Sequence, residues 1–298
     1  MRKFTVEAPT GSEPKNGSCN SGDLLRREAL LFREWMTLLT RDLKKYFTIT
    51  AAMYAGDCLG ITQGIRPTYF ACRALDDIAD GDRTIDGCGV DVSSLLAALH
   101  QQLDTDSRDA SVPCSYLLHD AVHSLGSEAN REEVIQNFHT FLDTTLIDFQ
   151  RRVHKTVFTV SELDAHYMRS FQPVLNLALI ALGSRSRAQA LGLLPLLQGK
   201  VYALDDMSHE LPRGEINIPG EVVNRAGLDV ENLMRCPTLS DVPAIRDWMK
   251  DECDSSTQIL KDIESQQYKD KGVRRILGIL LPSIRRFLNT SSFSSNHA

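Results

Sequence analysis

Two acidic runs hold the residue types best suited to chemistry: YFACRALDDIADGD at 69–82 and VYALDDMSHELPRGEINIP at 201–219. On a helix, Tyr69, Arg73, Asp76, Asp77 and Asp80 of the first run fall along one face. Carboxylates crowded there repel one another, and a cation seated among them removes the repulsion. Asp76 and Asp80 stand one turn apart and can reach the same Mg2+, an ion that such pairs hold jointly with a substrate phosphate. Arg73, a turn earlier, is placed to grip phosphate oxygens, with Tyr69 and Asp77 beside it. The plain alternative is a solvated acidic face. Against it, Phe70, Ala71, Cys72, Ala74, Leu75, Ile78 and Ala79 surround the acids. A helix that is apolar nearly all round is a buried one, and buried charges need partners.

In the second run Asp206 and Glu210 again stand one turn apart, with Asp205 and His209 as a parallel pair. Such pairs are common on exposed helices, so this run gains its meaning from the first. Two acidic helices facing each other across a bundle would hold Mg2+ through Asp76, Asp80, Asp206 and Glu210, with a diphosphate between them. That arrangement is suited to ionising an allylic diphosphate. The metals stabilise the departing pyrophosphate, and an apolar pocket shelters the carbocation.

The elements carrying these runs read as helices. Apolar residues recur every three or four positions over 24–46, behind Ser21 or Asp23 as a cap. Asn130 precedes a helix whose acids come early and whose bases come late, as the helix dipole favours. Another helix starts at Ser161, and 185–211, 240–268 and 271–289 follow the same period. Loops are marked at 81–90, 105–113 and 212–220, strand-like alternation is nearly absent, and there is no internal repeat. The expectation is an all-α, single-domain bundle over 23–290, between a flexible arm at 1–22 and a tail at 291–298.

Composition narrows the function classes. The chain has 298 residues, 42% hydrophobic and 24% charged, which is globular. A net charge of −6 has the wrong sign for wrapping nucleic acid. Seven cysteines without a CxxC pair suggest reduced, intracellular thiols. The start lacks the apolar core of a secretion signal, and the longest apolar stretches, at 178–183 and 276–282, fall well short of the roughly 20 residues of a membrane span. A cytoplasmic protein with no membrane segment is expected; nothing sets its oligomeric state. The basic, amphipathic stretch 273–288 reads as a last core helix, with a membrane-surface role as the alternative. Beyond the second run the histidines are scattered, with none paired at metal-ligand spacing.

At these residues the sequence resembles the squalene/phytoene synthase family of prenyltransferases. Tyr69-x-x-Cys72-Arg73-x-x-Asp76-Asp77-x-x-Asp80 is similar to that family's first aspartate-rich motif. Asp148 with Arg151 and Arg152, then Ser161-Glu162-Leu163 and Tyr167, resemble its central region, and Asp206-x-x-x-Glu210 through Arg213-Gly214-Glu215-Ile216-Asn217-Ile218-Pro219 its second motif. The resemblance runs from about residue 40 to 219 and implies the isoprenoid synthase bundle with a central active-site cavity and Mg2+ as cofactor.

The departures point one way. Tyr202 stands where the family carries a metal-binding Asn, Asp205 where it carries a diphosphate-binding Arg, and Glu215 where it closes with Arg. Gly199 stands for a Gln, Glu210 for an Asp, and Gln172, Pro173 and Asn176 for small residues along the prenyl tunnel. Head-to-head coupling must hold two prenyl diphosphates. Losing cationic and metal contacts from one set implies that one diphosphate site is kept and the other takes an uncharged acceptor. The resemblance therefore implies the branch that attaches a short prenyl group, such as dimethylallyl, to an aromatic acceptor such as a carbazole in secondary metabolism. Pyrophosphate, Asp205 or His209 would take the ring proton. Lys45 sits where relatives place a diphosphate contact, Tyr202 is placed to stack on the acceptor, and Gln172 and Asn176 to line the pocket. The rival readings are a head-to-head synthase and a non-catalytic relative that kept the fold.

Overall fold

A computed structural model describes residues 21–41, 53–57, 59–62, 64–83, 91–109, 111–236 and 238–291; among them every regular element is helical. In chain order these are α1 (Ser21–Arg41), α2 (Ile65–Ala79), α3 (Val92–Thr105), α4 (Ser115–Leu125), α5 (Arg131–His154), α6 (Val160–Ala181), α7 (Leu194–Glu210), α8 (Gly220–Ala226), α9 (Val230–Met234), α10 (Pro243–Ser265) and α11 (Lys271–Thr290). Short polar side chains start several of them by accepting free backbone N–H groups. Asp91 accepts from Ser94 at α3, and Asp270 from Val273 at α11.

The periodicity locates α1, α5, α10 and α11 within a few residues and misplaces two starts. α6 begins at Val160 rather than behind Ser161, because Thr159 and Glu162 form a reciprocal capping box. The stretch 185–211 is not one helix. A 3-10 turn at Ala188–Leu191 ends on Gly192, whose φ of 57° breaks the run, and α7 starts afresh. α3 and α4 lie in 92–125, where the periodicity above specifies no element.

α6 is the axis of the bundle. Leu175 and Leu179 face a cluster built with α7, α10 and α11, while Leu177, Ile180 and Ala181 enter a second cluster with α2, α3, α4 and α5. Apart from Asn176, its segment LNLALIA is apolar on both flanks because both sides are covered. Gly199 sets how closely α6 and α7 approach: a Cβ there would sit 2.4 Å from Tyr167 Cβ, so only glycine fits. α11 runs unbroken through Pro282 with Ile276, Leu277, Leu281 and Ile284 buried. Its Arg274, Arg275, Arg285 and Arg286 are exposed, as the core-helix reading expects. Among the described residues no helix is long and apolar enough to cross a membrane.

Candidate active site

α2 and α7 end beside each other, and their ends bring the two acidic runs together. Asp76 lies in the last turn of α2 and Asp80 caps it. Gly81, with φ of 72°, then turns the chain away. Asp206 and Glu210 occupy the last turn of α7, and Glu215 follows Gly214, which turns at a φ of 90°. Arg213 reaches back across the gap to Asp82 at 2.5 Å, joining the ends of the two runs. Arg152 lies between the turns: a Cβ on Gly81 would be 3.2 Å from its guanidinium, and one on Gly214 2.8 Å from its carbonyl oxygen.

Burial raises several of these carboxyls, and the charges of their neighbours add to it. Burial, then the charges of Asp76, Glu215 and Asp148, pushes the Asp80 carboxyl up to about 9. Burial, then Glu215 and Asp206, pushes Glu210 up to about 9, although Asn217 Nδ2 donates to its Oε2 at 2.9 Å. Glu215 is raised to about 7 by burial and by Asp148 and Asp76, and Asp76 to about 6 chiefly by burial. Asp76 still keeps 46% of its side chain accessible. A carboxylate flanked by protein yet open to water on one side satisfies both.

Three of these residues belong to the second run or its tail, two to the first, and Asp148 to α5. Spacing alone gives Asp148 and Glu215 no role, because their partners are distant in sequence. The clearest local signal for Asp148 is Arg151 three residues on, 3.3 Å away. Arg151 is 3% exposed and also donates to Ile216 O at 2.8 Å and Asn217 Oδ1 at 3.2 Å, so it holds the second run's tail against α5. His166 Nε2 lies 2.7 Å from Asp148 Oδ1 and steadies it from α6.

Other candidate residues stand differently from the expectation. Asp77 is 1% exposed and pairs with Arg73 Nη2 at 2.6 Å, which helps to position that guanidinium. Arg73 also holds Asp76 Oδ2 at 2.7 Å. Asp205 and His209 are exposed, and Asp206 and Glu210 beside them are partly buried. Asn176 is buried and fully engaged: it donates to Asn137 Oδ1 at 2.9 Å and accepts from Ala188 N at 2.7 Å, joining α5, α6 and the 3-10 turn. It is a structural tie, and its burial is satisfied by protein groups. Gln172 is partly exposed one turn before it. Tyr202, one turn before Asp206, packs its ring against Phe171 at 5.7 Å. Tyr69 packs in the cluster between α1 and α2. Lys45 lies outside the described residues. Two histidines, His119 and His123, do stand one turn apart with Asp106 near them, contrary to the scattered pattern expected.

A squalene/phytoene synthase family model matches residues 65–290, which includes both acidic runs and the helices between them. The chain belongs to the squalene/phytoene synthase family. Members of that family are prenyltransferase-type enzymes that use prenyl diphosphates, and they generally require divalent metal ions. No curated protein and no solved structure matches the chain. The cluster's donors are all carboxylate oxygens, the set that hard divalent cations prefer. Their raised carboxyls mean that a cation would relieve a repulsion the fold already imposes.

Proposed function

We propose that this protein is a Mg2+-dependent aromatic prenyltransferase, transferring a short prenyl group from an allylic diphosphate, with dimethylallyl diphosphate the favoured donor, to a ring carbon of a small acceptor such as a carbazole. The observation that carries the reading is that the Arg213–Asp82 pair joins the ends of the two runs, where burial first and then neighbouring acidic charge raise the carboxyls of Asp76, Asp80, Glu210 and Glu215. Asp76, Asp80, Asp206 and Glu210 would hold the metal ions. Bound Mg2+ would supply the positive charge that stabilises the departing pyrophosphate. Arg73, 2.7 Å from Asp76, is within reach of the same phosphate oxygens once it exchanges a carboxylate for them.

The charge balance supports one diphosphate rather than two. Glu215, in the place of a family Arg, sets a negative charge against any second anion. The Tyr202 and Phe171 rings offer an aromatic wall one turn from Asp206. The released pyrophosphate, Asp205 or His209 would take the ring proton. We place the catalytic unit at residues 23–290 in the cytoplasm, acting on small molecules within secondary metabolism, with 1–22 and 291–298 as flexible ends.

The test is incubation with Mg2+ and labelled dimethylallyl diphosphate, with and without carbazole acceptors, beside farnesyl and geranylgeranyl diphosphate alone. The reading expects a prenylated aromatic product that depends on the acceptor. A triterpene or tetraterpene hydrocarbon formed without acceptor would replace it with head-to-head coupling.

A further inference from the structure

His119 and His123 lie on one face of α4, with ring centroids 4.1 Å apart. Asp106 caps the end of α3 in the left-handed region, at φ 49° and ψ 34°, a conformation that Asp tolerates better than most side chains. That turn aims its carboxylate at α4: Asp106 Oδ1 is 3.0 Å from His123 Nε2. Ligand atoms of all three residues lie within 4.8 Å of one another. A cation already stands beside them, since Arg131 Nη2 is 2.5 Å from Asp106 Oδ1 and 3.5 Å from His123 Nε2. Asp106 and His119 also line one surface recess with Gln102, Ser107 and Ser115.

We propose that Asp106, His119 and His123 form a second metal site, one that takes a transition-metal divalent cation of the Zn2+ class and pins the end of α3 to α4. Two imidazoles and a carboxylate suit Zn2+, Co2+ or Ni2+ and do not suit Mg2+, which prefers oxygen donors. Above about pH 7 an ordinary imidazole is mostly neutral and offers a lone pair. Three protein ligands would leave a fourth position for water or another ligand. In the metal-free protein the Arg131 guanidinium does the cation's work, so metal binding must displace it.

The site is distinct from the carboxylate cluster. A Cβ on Gly64, just before α2, would lie 2.6 Å from Ser124 Cβ, so His123 stands near the start of α2. Asp80 caps the other end of that helix, about 22 Å away at about 1.5 Å per residue. The proposal therefore does not depend on the reaction assigned above.

The experiment is a titration of the full chain with Co2+ in excess Mg2+, which saturates oxygen-ligand sites, followed by visible absorption and calorimetry. The expected result is one Co2+ with nitrogen ligation, bound at least tenfold more weakly in both His119→Ala and His123→Ala. Arg131→Gln should tighten it, because the competing cation is gone. Zn2+ should raise Tm in the unmodified protein and not in His123→Ala, an exposed change that leaves the fold in place. Binding of equal strength in both histidine variants, or a spectrum of oxygen ligation only, would overturn the proposal.

Discussion

Glu215→Gln should make the metal-free protein more stable at alkaline pH and change nothing in acid. In the folded chain the Glu215 carboxyl is raised from 4.5 to about 7 by burial and by the charges of Asp148 and Asp76. The folded state therefore binds the proton more tightly than the unfolded one. Stability from this group is complete below pH 4.5 and is lost as pH rises through about 7. At about 1.4 kcal/mol per pH unit the shift corresponds to about 3 kcal/mol. Water reaches the half-buried side chain, and its neighbours share the titration, so about 1–2 kcal/mol is the gain to expect from the neutral amide. For a chain of this size that is a rise of about 2–4 °C in Tm. The assay is thermal unfolding in EDTA at pH 8.5 and pH 4, with wild type and variant scanned side by side. A variant no more stable than wild type at pH 8.5, or equally stabilised at both pH values, would refute the crowding described here. Added Mg2+ should raise wild-type Tm more at pH 8.5 than at pH 6, since protons compete with the ion for the same oxygens.

Other changes probe the scaffold and the cluster separately. Gly199→Ala puts a methyl 2.4 Å from Tyr167 and should cost about 1–3 kcal/mol in urea unfolding as α6 and α7 are forced apart. Arg151→Met removes the buried cation that Asp148, Ile216 and Asn217 share; a loss of about 3–5 kcal/mol is expected, with a variant of wild-type stability the contrary result. Asp76→Asn and Asp206→Asn should each cut prenyl transfer at least a hundredfold while circular dichroism stays unchanged, and retained turnover in either would remove that residue from the metal set.

What could be read in advance divides along physical lines. The helical period identifies α5 and its dipole charges outright, because a long helix averages out local exceptions. The start of α6 is misplaced because two hydroxyl residues, Thr159 and Ser161, compete for the cap, and only the geometry of Glu162 selects between them. Spacing brings out Asp76, Asp80, Asp206 and Glu210, since each pair is local. It cannot bring out Asp148 and Glu215, whose membership depends on how α5 and the loop after α7 pack. Asn176 shows the opposite failure. A polar residue in an apolar helix signals burial, but whether it faces a ligand or the neighbouring helix is decided by Asn137 and Ala188, distant in sequence.

Gly199 and the two-sided burial of α6 bear on how the molecule comes apart. Because the same helix supplies side chains to both apolar clusters, peeling away either half would wet one flank of it. Partial unfolding is thereby penalised whichever end frays first, and denaturation should be a single cooperative event, reported alike by Trp248 in α10 and by probes placed in α3.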